Sequence, residues 1–321
     1  MVIMNNIINK SINKYILIKI PLLLILYVFI IHLIKANNLQ LKQKEITSKI
    51  NVCLCTLGKN ENRYIREFVQ HYEKYDVDKI FLYDNNDIDG ERFEDIIQDY
   101  IDKGFVEILN WRGKNKGFFK IMNNCYKSNY RKYDWLIFYE LDEFIHLHKY
   151  KSIKYFLNEP KFKDCQIIYL NLVCHTDNNL LYYQNKSLFK RFPVVNKRLL
   201  LEVKSIIRGH IRNLKILKLH TSNDKLINCN GFGHKNKIFK IFSTERDYKY
   251  YYIDHFYSKS TEEFINKLNR GDLYKVSIDY YLEKINKYYL QSKFNKKKIE
   301  LIENRTGLNL SKYKKLLGYK I

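Results

Sequence analysis

The strongest constraint on the fold of this 321-residue chain is an alternation of apolar strands with amphipathic helices over residues 50–139. Short apolar runs typical of strands buried on both faces of a parallel sheet alternate with segments of helical period. Strands are predicted at 50–56, 79–83, 105–109 and 135–139, and helices at 63–75, 91–103 and 117–130. This alternation predicts a Rossmann-like α/β domain with a mostly parallel sheet flanked by helices. No Gly-x-Gly-x-x-Gly follows the first strand and there is no P-loop, which argues against a dinucleotide cofactor.

Three carboxylates follow the strand at 135–139 within four residues: Glu140, Asp142 and Glu143. If the chain stays extended, Glu140 and Asp142 project to the same side, where two like charges are unfavourable without a cation. A divalent ion such as Mg²⁺ or Mn²⁺ would offset that repulsion and leave positions open for phosphate oxygens. The alternative is a solvated acidic turn that caps the next element.

Polar residues also follow the first two strands. Thr56, Asn60 and Glu61 come after the first strand, and Asp84 and Asn85 end the second. Because ligands in parallel sheets bind beyond the carboxyl ends of the strands, these groups and the acidic cluster predict one nucleotide-sized cleft. Taken singly, Glu61 is also explained as a first-turn carboxylate favoured by the helix dipole, and Asp84-Asn85 as an Asx turn.

Four motifs follow one another along the chain. They are an opening strand with an Asn-Glu turn, a strand ending in Asp-Asn, an acidic motif before Glu-Phe, and a late block that contains a histidine. They are residues 55–68, 79–85, 135–144 and 252–271. In this order they resemble the GT-A-fold glycosyltransferases of family 92 and the related family-2-like group, over about residues 50–272. Glu140-Leu141-Asp142 stands where the family has Asp-x-Asp, so the first acidic side chain is one carbon longer.

The resemblance implies a metal-dependent, inverting enzyme that moves a sugar from a nucleotide sugar, expected to be UDP-linked, to an acceptor hydroxyl of a glycan or glycoconjugate. A divalent ion, Mn²⁺ or Mg²⁺, on Asp142 with Glu140 would stabilise the leaving diphosphate. His255 matches the late histidine of the family and is the expected third ligand, with His234 and His220 as second choices.

Two further roles remain to be filled in such an enzyme. Lys259 is expected to lie near the diphosphate as a point charge, beside the donor-binding residues named above. An inverting transfer also needs a base to take the acceptor proton, and the candidates are Asp177 and Glu143. Asp177 is equally explained as a loop carboxylate in an Asx turn.

There are two alternatives to a glycosyltransferase, and the formal net charge of +23 bears on the first of them. One is a membrane-tethered, non-catalytic basic protein that binds acidic polymers, and the other is a different Mg²⁺-dependent phosphate-processing enzyme. The basic residues are spread over the chain rather than arranged in one stripe with aromatics, so no nucleic-acid partner is expected.

The N-terminal segment differs from the rest of the chain. Residues 15–34 are almost wholly apolar, which is about the length that a membrane span requires. This run predicts a transmembrane signal anchor and a single-pass, type II-like membrane protein, located in the Golgi or ER if the organism is a eukaryote. A cleaved signal peptide and a buried helix are the alternatives.

The predicted organisation has four parts. They are the anchor (1–36), a polar stem (37–49), the GT-A domain (50–280) and a basic helical C-terminal tail (281–321). Beyond residue 150, further strands are expected at 166–173 and 236–242. The six cysteines show no paired spacing, so neither a zinc site nor a disulfide framework is expected, and most of the thiols are interpreted as buried apolar groups.

Overall fold

A computed structural model describes residues 27–35, 50–114, 118–195, 202–218, 221–222, 226–236, 249–270 and 296–307. The chain divides into two compact units, Met1–Lys49 and Ile50–Ile321. In the first unit, residues 27–35 form helix α1. Among the described helices, none has both the length and the apolarity needed to cross a membrane. Most of the predicted anchor, and all of the predicted stem, lie outside the described residues.

The second unit begins with the predicted alternation of strands and helices. Its strands are β1 (Val52–Gly58), β2 (Lys79–Asp84), β3 (Val106–Asn110) and β4 (Trp135–Phe138). The helices between them are α2 (Asn62–Lys74), α3 (Glu94–Asp102) and α4 (Phe118–Asn129). The four strands pair in parallel in the order β3-β2-β1-β4, with Leu54 opposite both Ile80 and Ile137. The predicted α/β alternation is therefore confirmed over this half of the unit.

Beyond β4 the sheet becomes mixed, and the prediction of a mostly parallel sheet is wrong for this part. The further strands are β5 (Glu143–Leu147), β6 (Ile167–Cys174), β7 (Val203–Arg208), β10 (Asn228–Asn230), β11 (Lys235–Asn236) and β12 (Tyr251–His255). β7 lies antiparallel between β4 and β6, while β6 is parallel to both β10 and β12. β5 and β11 add antiparallel pairs, to β12 and β10 respectively. Because β7 inserts antiparallel beside β4, residues distant in sequence reach the carboxyl edge of β4.

Shorter elements complete the described part. They are α5 (Ile153–Leu157), a 3₁₀ turn (Pro160–Phe162), α6 (Leu188–Arg191), the pair β8 (Ile216–Lys218) and β9 (Thr221–Ser222), α7 (Thr261–Asn269) and α8 (Lys296–Thr306). The strand predicted at 166–173 is confirmed as β6, whereas most of the one predicted at 236–242 lies outside the described residues. The predicted division at residue 280 stays a prediction, with α8 the described portion of the tail.

The core forms on both faces of the sheet because successive side chains of a strand point to opposite faces. On one face, Leu54, Leu82 and Ile137 join a large buried cluster with the apolar side of α2. On the other, Phe81 and Leu136 pack with the buried residues of α4.

Two disulfide bonds correct the interpretation of the cysteines as isolated thiols. Cys55 of β1 is bonded to Cys125 of α4, and Cys165 is bonded to Cys229 of β10. The partners are 70 and 64 residues apart in sequence, so no short spacing motif marks them. Cys53 and Cys174 are buried and take no part in these two disulfide bonds, as the sequence interpretation expected.

Candidate functional site

Three side chains with metal-binding atoms converge where β4 turns into β5. After β4 the chain makes a turn in which the Glu143 N–H donates to the Glu140 carbonyl oxygen (3.0 Å). β5 then pairs antiparallel with β12 in a register that sets His255 opposite Glu143, and the Phe256 N–H donates to the Asp142 carbonyl oxygen (2.9 Å). Asp142, Glu143 and His255, called the ligand trio below, are thereby held together by backbone pairing.

The ligand atoms of the trio are close to each other, buried, and without hydrogen-bond partners. His255 Nε2 lies 3.7 Å from Asp142 Oδ1 and 3.9 Å from Glu143 Oε1. One ligand atom from each residue lies within 4.8 Å of the others. None of these three atoms has a hydrogen-bond partner, although buried polar atoms normally have one. Two carboxylate oxygens and an imidazole nitrogen form a donor set that suits a divalent cation such as Mn²⁺.

Burial and neighbouring charges shift the protonation of the trio. Burial lowers the pKa of His255 to about 4, so the imidazole is neutral at physiological pH and able to act as a ligand. Burial raises the pKa of Glu143 to about 8, with the carboxylates of Glu140 and Asp142 adding to the effect. Burial opposes ionisation of Asp142 as well, but Lys267, His255 and Lys259 together hold its pKa well below the usual range.

Glu140, predicted to share the cation with Asp142, has a different partner. Its carboxylate lies 2.5 Å from Lys204 Nζ on β7, and the same ammonium lies 2.6 Å from Glu143 Oε1, outside hydrogen-bond geometry. The turn at 140–143 replaces the extended chain that the prediction assumed. The structure therefore groups Glu143, rather than Glu140, with Asp142 and His255.

Two lysines approach Asp142 from the other side. Lys267 Nζ of α7 donates to Asp142 Oδ2 at 2.7 Å. Lys259 lies in the loop between β12 and α7, with a φ of 50°. Its ammonium is 3.9 Å from Asp142 Oδ2 and 3.6 Å from Glu61 Oε2. It also lies 4.2 Å from the centre of the Tyr64 ring, and burial lowers its pKa.

A cleft of about 630 Å³ opens next to these lysines. Glu61, at the start of α2, lines this cleft and accepts a hydrogen bond from Arg270 at 2.5 Å. Asn60 lines it as well, in a left-handed conformation (φ 54°), with its N–H donating to Asn86 Oδ1 at 2.7 Å. The structure thus brings Asn60, Glu61 and Lys259 together at one cleft, as the sequence predicted.

The other predicted donor-binding residues lie near the ends of β1 and β2. Asp84 is buried and paired with Arg112 Nε at 2.7 Å, and it also accepts hydrogen bonds from Asn86. Arg112 donates to backbone carbonyls between residues 87 and 91, so Asp84 orders this loop through the guanidinium. The Asn85 N–H donates to the Gly58 carbonyl oxygen (2.9 Å). Thr56 is buried, and its hydroxyl has no hydrogen-bond partner.

Asp177 and the two second-choice histidines lie elsewhere in the chain. Asp177 forms a fully buried ion pair with Lys298 of α8, and it accepts a hydrogen bond from the Asn179 N–H (3.1 Å). The contacts of Asp177 are those of a structural carboxylate. His234 is exposed in the turn after β10, with its N–H donating to Asn230 Oδ1, and His220 is outside the described residues.

Sequence reasoning gave no role to Lys204, Lys267 or Arg270. Lys204 stands in an otherwise apolar strand, and a lysine buried in a strand generally needs a carboxylate partner, so its position was a usable signal. Lys267 carried no such signal. It lies 125 residues after Asp142, and only the docking of α7 brings the two together.

The fold and the site define an α/β protein with a candidate cation site beside a polar cleft at the carboxyl edge of its sheet. The chain belongs to glycosyltransferase family 92, whose family model matches residues 48–229. The resemblance seen in the sequence is therefore confirmed. His255, Lys259 and Lys267 lie beyond the matched segment.

Similar proteins come from several sources. Family 92 proteins of Ricinus communis and Oryza sativa are 25% and 24% identical over 129 and 131 residues, each aligned segment being 39% of this chain. The aligned segments are 22% and 21% of those proteins, so the chain spans about a fifth of the length of the curated relatives it matches.

Two solved structures give looser matches. S. aureus TarS (residues 1–349, in complex with UDP-GlcNAc) has a TM-score of 0.38 at 15% identity, covering 83% of this chain and 76% of that one. The mannosyltransferase PcManGT of Pyrobaculum calidifontis, in complex with GDP-Man and Mn²⁺, has a TM-score of 0.29 at 8% identity, covering 38% and 35%.

Proposed function

We propose that this protein is a metal-dependent glycosyltransferase that transfers a sugar from a nucleotide-diphosphate sugar to an acceptor hydroxyl of a glycan or glycoconjugate, with inversion. The observation that carries the proposal is the ligand trio: three buried ligand atoms, none with a hydrogen-bond partner, within 4.8 Å of one another. Membership of family 92 supports a sugar-transfer reaction at this site.

The residues present fit a divalent cation, Mn²⁺ or Mg²⁺. Asp142 Oδ1, Glu143 Oε1 and His255 Nε2 would hold it, since these atoms converge and lack other hydrogen-bond partners. Bound there, the ion would supply stabilisation of the negative charge that develops on the leaving diphosphate.

The cleft beside the trio supports a nucleotide-diphosphate donor. Its volume of about 630 Å³ lies within the range of small-ligand sites, roughly 300–1,000 Å³. Lys259, Lys267 and Arg270 line it, and these cations can pair with diphosphate oxygens. The cation–π contact with Tyr64 restrains Lys259, so this charge is positioned before a donor binds. UDP-linked sugars are the first donors to test.

Inversion also requires a base for the acceptor proton, and Glu143 is the alternative to Asp177 for this role if it does not hold the cation. Asp177 is closed off in its ion pair with Lys298, whereas the pKa of Glu143, about 8, lies near the working range of a general base. A Glu143→Gln variant separates the two roles of this residue. Loss of Mn²⁺ binding marks a metal ligand, and loss of turnover with Mn²⁺ binding retained marks a base.

We also propose that the N-terminal segment anchors the enzyme in a membrane, with the second unit in an oxidising compartment. The apolar run at 15–34 supports the anchor, and the two disulfides support the compartment, because such bonds are rare in reducing cytosol. Thiol labelling of the full chain in intact membrane fractions tests this. Labelling of all six cysteines without prior reduction would contradict it.

The test of the proposed reaction is nucleotide release by the full chain in detergent. A panel of nucleotide sugars is offered with a mixture of glycan acceptors, once with Mn²⁺ and once with EDTA. Metal-dependent release from one donor supports the proposal. Asp142→Asn should abolish this release with folding retained, whereas Asp164→Asn, which changes an exposed carboxylate paired with Lys235, should leave it intact.

Two other outcomes would overturn the proposal. Phosphate release from nucleoside triphosphates, but not from nucleotide sugars, would indicate a different phosphate-processing enzyme. Salt-sensitive binding of polyanions that Asp142→Asn does not change, with no nucleotide released, would indicate a non-catalytic basic protein.

A further inference from the structure

The ligand trio lies in a network that has no excess of negative charge before any ion binds. The described carboxylates are Glu61, Glu140, Asp142 and Glu143. The cations paired with them are Lys204, Lys259, Lys267 and Arg270. A site built to hold a divalent cation by itself has an excess of negative charge, and this network has none. Something that carries negative charge must therefore enter together with the cation.

Lys267 differs from the other three cations in its position. It contacts Asp142 directly at 2.7 Å, and it also lines the cleft, with 19% of its side chain exposed. Lys259 lines the cleft too, but it is 4% exposed and lies 3.9 Å from Asp142. Lys204 contacts Glu140 and Glu143 and is not a cleft residue. Among the described residues that line the cleft, Lys267 is the one that donates a hydrogen bond to a carboxylate of the trio.

Besides Asp142, the ammonium of Lys267 contacts a second residue. It lies 3.8 Å from the centre of the Tyr257 ring, and 3.5 Å from the Tyr257 carbonyl oxygen. The flexible four-carbon stem of lysine allows the head group to leave Asp142 while the helix remains docked. Lys267 lines the cleft and is partly exposed there, so an anion that enters the cleft can reach its head group.

We propose that Lys267 competes with the divalent cation for Asp142, and that it transfers to the diphosphate when the cation binds. Two positive groups cannot share Asp142 at close range without strong repulsion. A diphosphate in the cleft removes this conflict, because it accepts the displaced ammonium. The cation and the nucleotide diphosphate therefore bind with positive coupling, and each raises the affinity for the other by the same factor. This inference rests on the proposed function, and it assigns Lys267 as a positioning residue.

The test measures Mn²⁺ binding by the full chain from the electron paramagnetic resonance signal of the free ion, without and with saturating UDP. In the wild type, UDP should increase the affinity for Mn²⁺ by at least about tenfold. Lys267→Met should bind Mn²⁺ alone about tenfold more tightly than the wild type, because the competing ammonium is gone, and its gain on adding UDP should be smaller.

Two further variants keep the test decisive. Lys235→Met removes an exposed lysine paired with Asp164 and should behave as the wild type. Lys267→Arg keeps the positive charge and should retain weak binding of Mn²⁺ alone with strong coupling. If the methionine variant fails to fold, Lys267→Arg tests the proposal in its place. If Lys267→Arg binds Mn²⁺ without UDP more tightly than the wild type does, and gains little affinity when UDP is added, the competition is refuted.

Different results would refute the proposed function and the role of Lys267. If the wild type binds neither Mn²⁺ nor UDP, the proposed function is wrong. If it binds both, but Lys267→Met binds Mn²⁺ alone no more tightly and shows the same gain with UDP, only the role of Lys267 is overturned. A purely structural salt bridge would produce this second result, with a lower melting temperature as its sole effect.

Discussion

The affinity of the trio for a divalent cation should depend steeply on pH because of Glu143. Burial raises the pKa of this carboxyl from its ordinary value of 4.5 to about 8, so the side chain keeps its proton through most of the physiological range. A metal ligand must be deprotonated. Below about pH 8, each fall of one pH unit should therefore weaken Mn²⁺ binding about tenfold, or by about 1.4 kcal/mol. Between about pH 8 and pH 6 the loss is roughly a hundredfold.

The other two members of the trio add nothing to this slope. The pKa of His255 is about 4, and that of Asp142 is held well below its usual range, so both are already able to bind a metal over this interval. The assay is calorimetric titration of Mn²⁺ at several pH values, for the wild type and for Glu143→Gln. The variant should bind weakly with no slope. A wild-type affinity that is constant over the interval, or a variant with the wild-type slope, would refute the assignment.

The same pKa shift makes a prediction for stability without metal. Between 4.5 and about 8 the folded state retains a proton on Glu143 that the unfolded state has lost. The contribution of this group to the free energy of unfolding should therefore fall as the pH rises through that window. Chemical denaturation of the wild type and of Glu143→Gln at several pH values measures this contribution. The prediction is wrong if the free energy of unfolding changes with pH in the same way in both proteins.

Three further predictions concern stability. Replacing both Cys55 and Cys125 by alanine should cost about 4 kcal/mol, from the loop of 70 residues that the bond closes, and lower the melting temperature by roughly 8 °C in calorimetry. A shift below about 2 °C would contradict this estimate. Arg191→Met should cost about 3–5 kcal/mol in urea denaturation, because it leaves the Glu263 carboxylate, 1% exposed, without its positively charged partner. A cost near zero would be inconsistent with a buried ion pair. Gly209→Ala should destabilise the protein by more than about 1 kcal/mol, since the alanine Cβ would lie 1.9 Å from a backbone carbonyl oxygen. Stability equal to that of the wild type would show that the backbone moves to make room for the methyl group.

The parallel half of the domain could be predicted from local pattern alone. The apolar runs before Thr56 and Asp84 and the amphipathic period of α2 each fall within one short window of sequence, and the structure places β1, β2 and α2 within a few residues of the prediction. Clustering of polar groups at the carboxyl edge follows from parallel topology, which explains why Glu61 could be predicted from the strand pattern, whereas Lys259 was predicted from the resemblance to the family.

Contacts between distant segments decide which residues form the trio, and no local pattern in the sequence encodes these contacts. The turn after β4 separates the partners of Glu140 from those of Asp142, and that turn is stabilised by β12 and β7, more than 60 residues later. Lys204 takes up Glu140 only because β7 inserts antiparallel beside β4. The disulfides were missed for the same reason, since each joins elements distant in sequence.

The pairing of β5 with β12 has a consequence for the synthesis of the protein. His255 reaches Glu143 only after β12 has been made and has entered between β5 and β6, and Lys267 follows later still. A nascent chain on the ribosome can complete β1 to β4 while the site remains absent, because contacts between distant segments form after local ones. The protein should therefore acquire its ability to bind a cation late in translation, in one step with closure of the sheet.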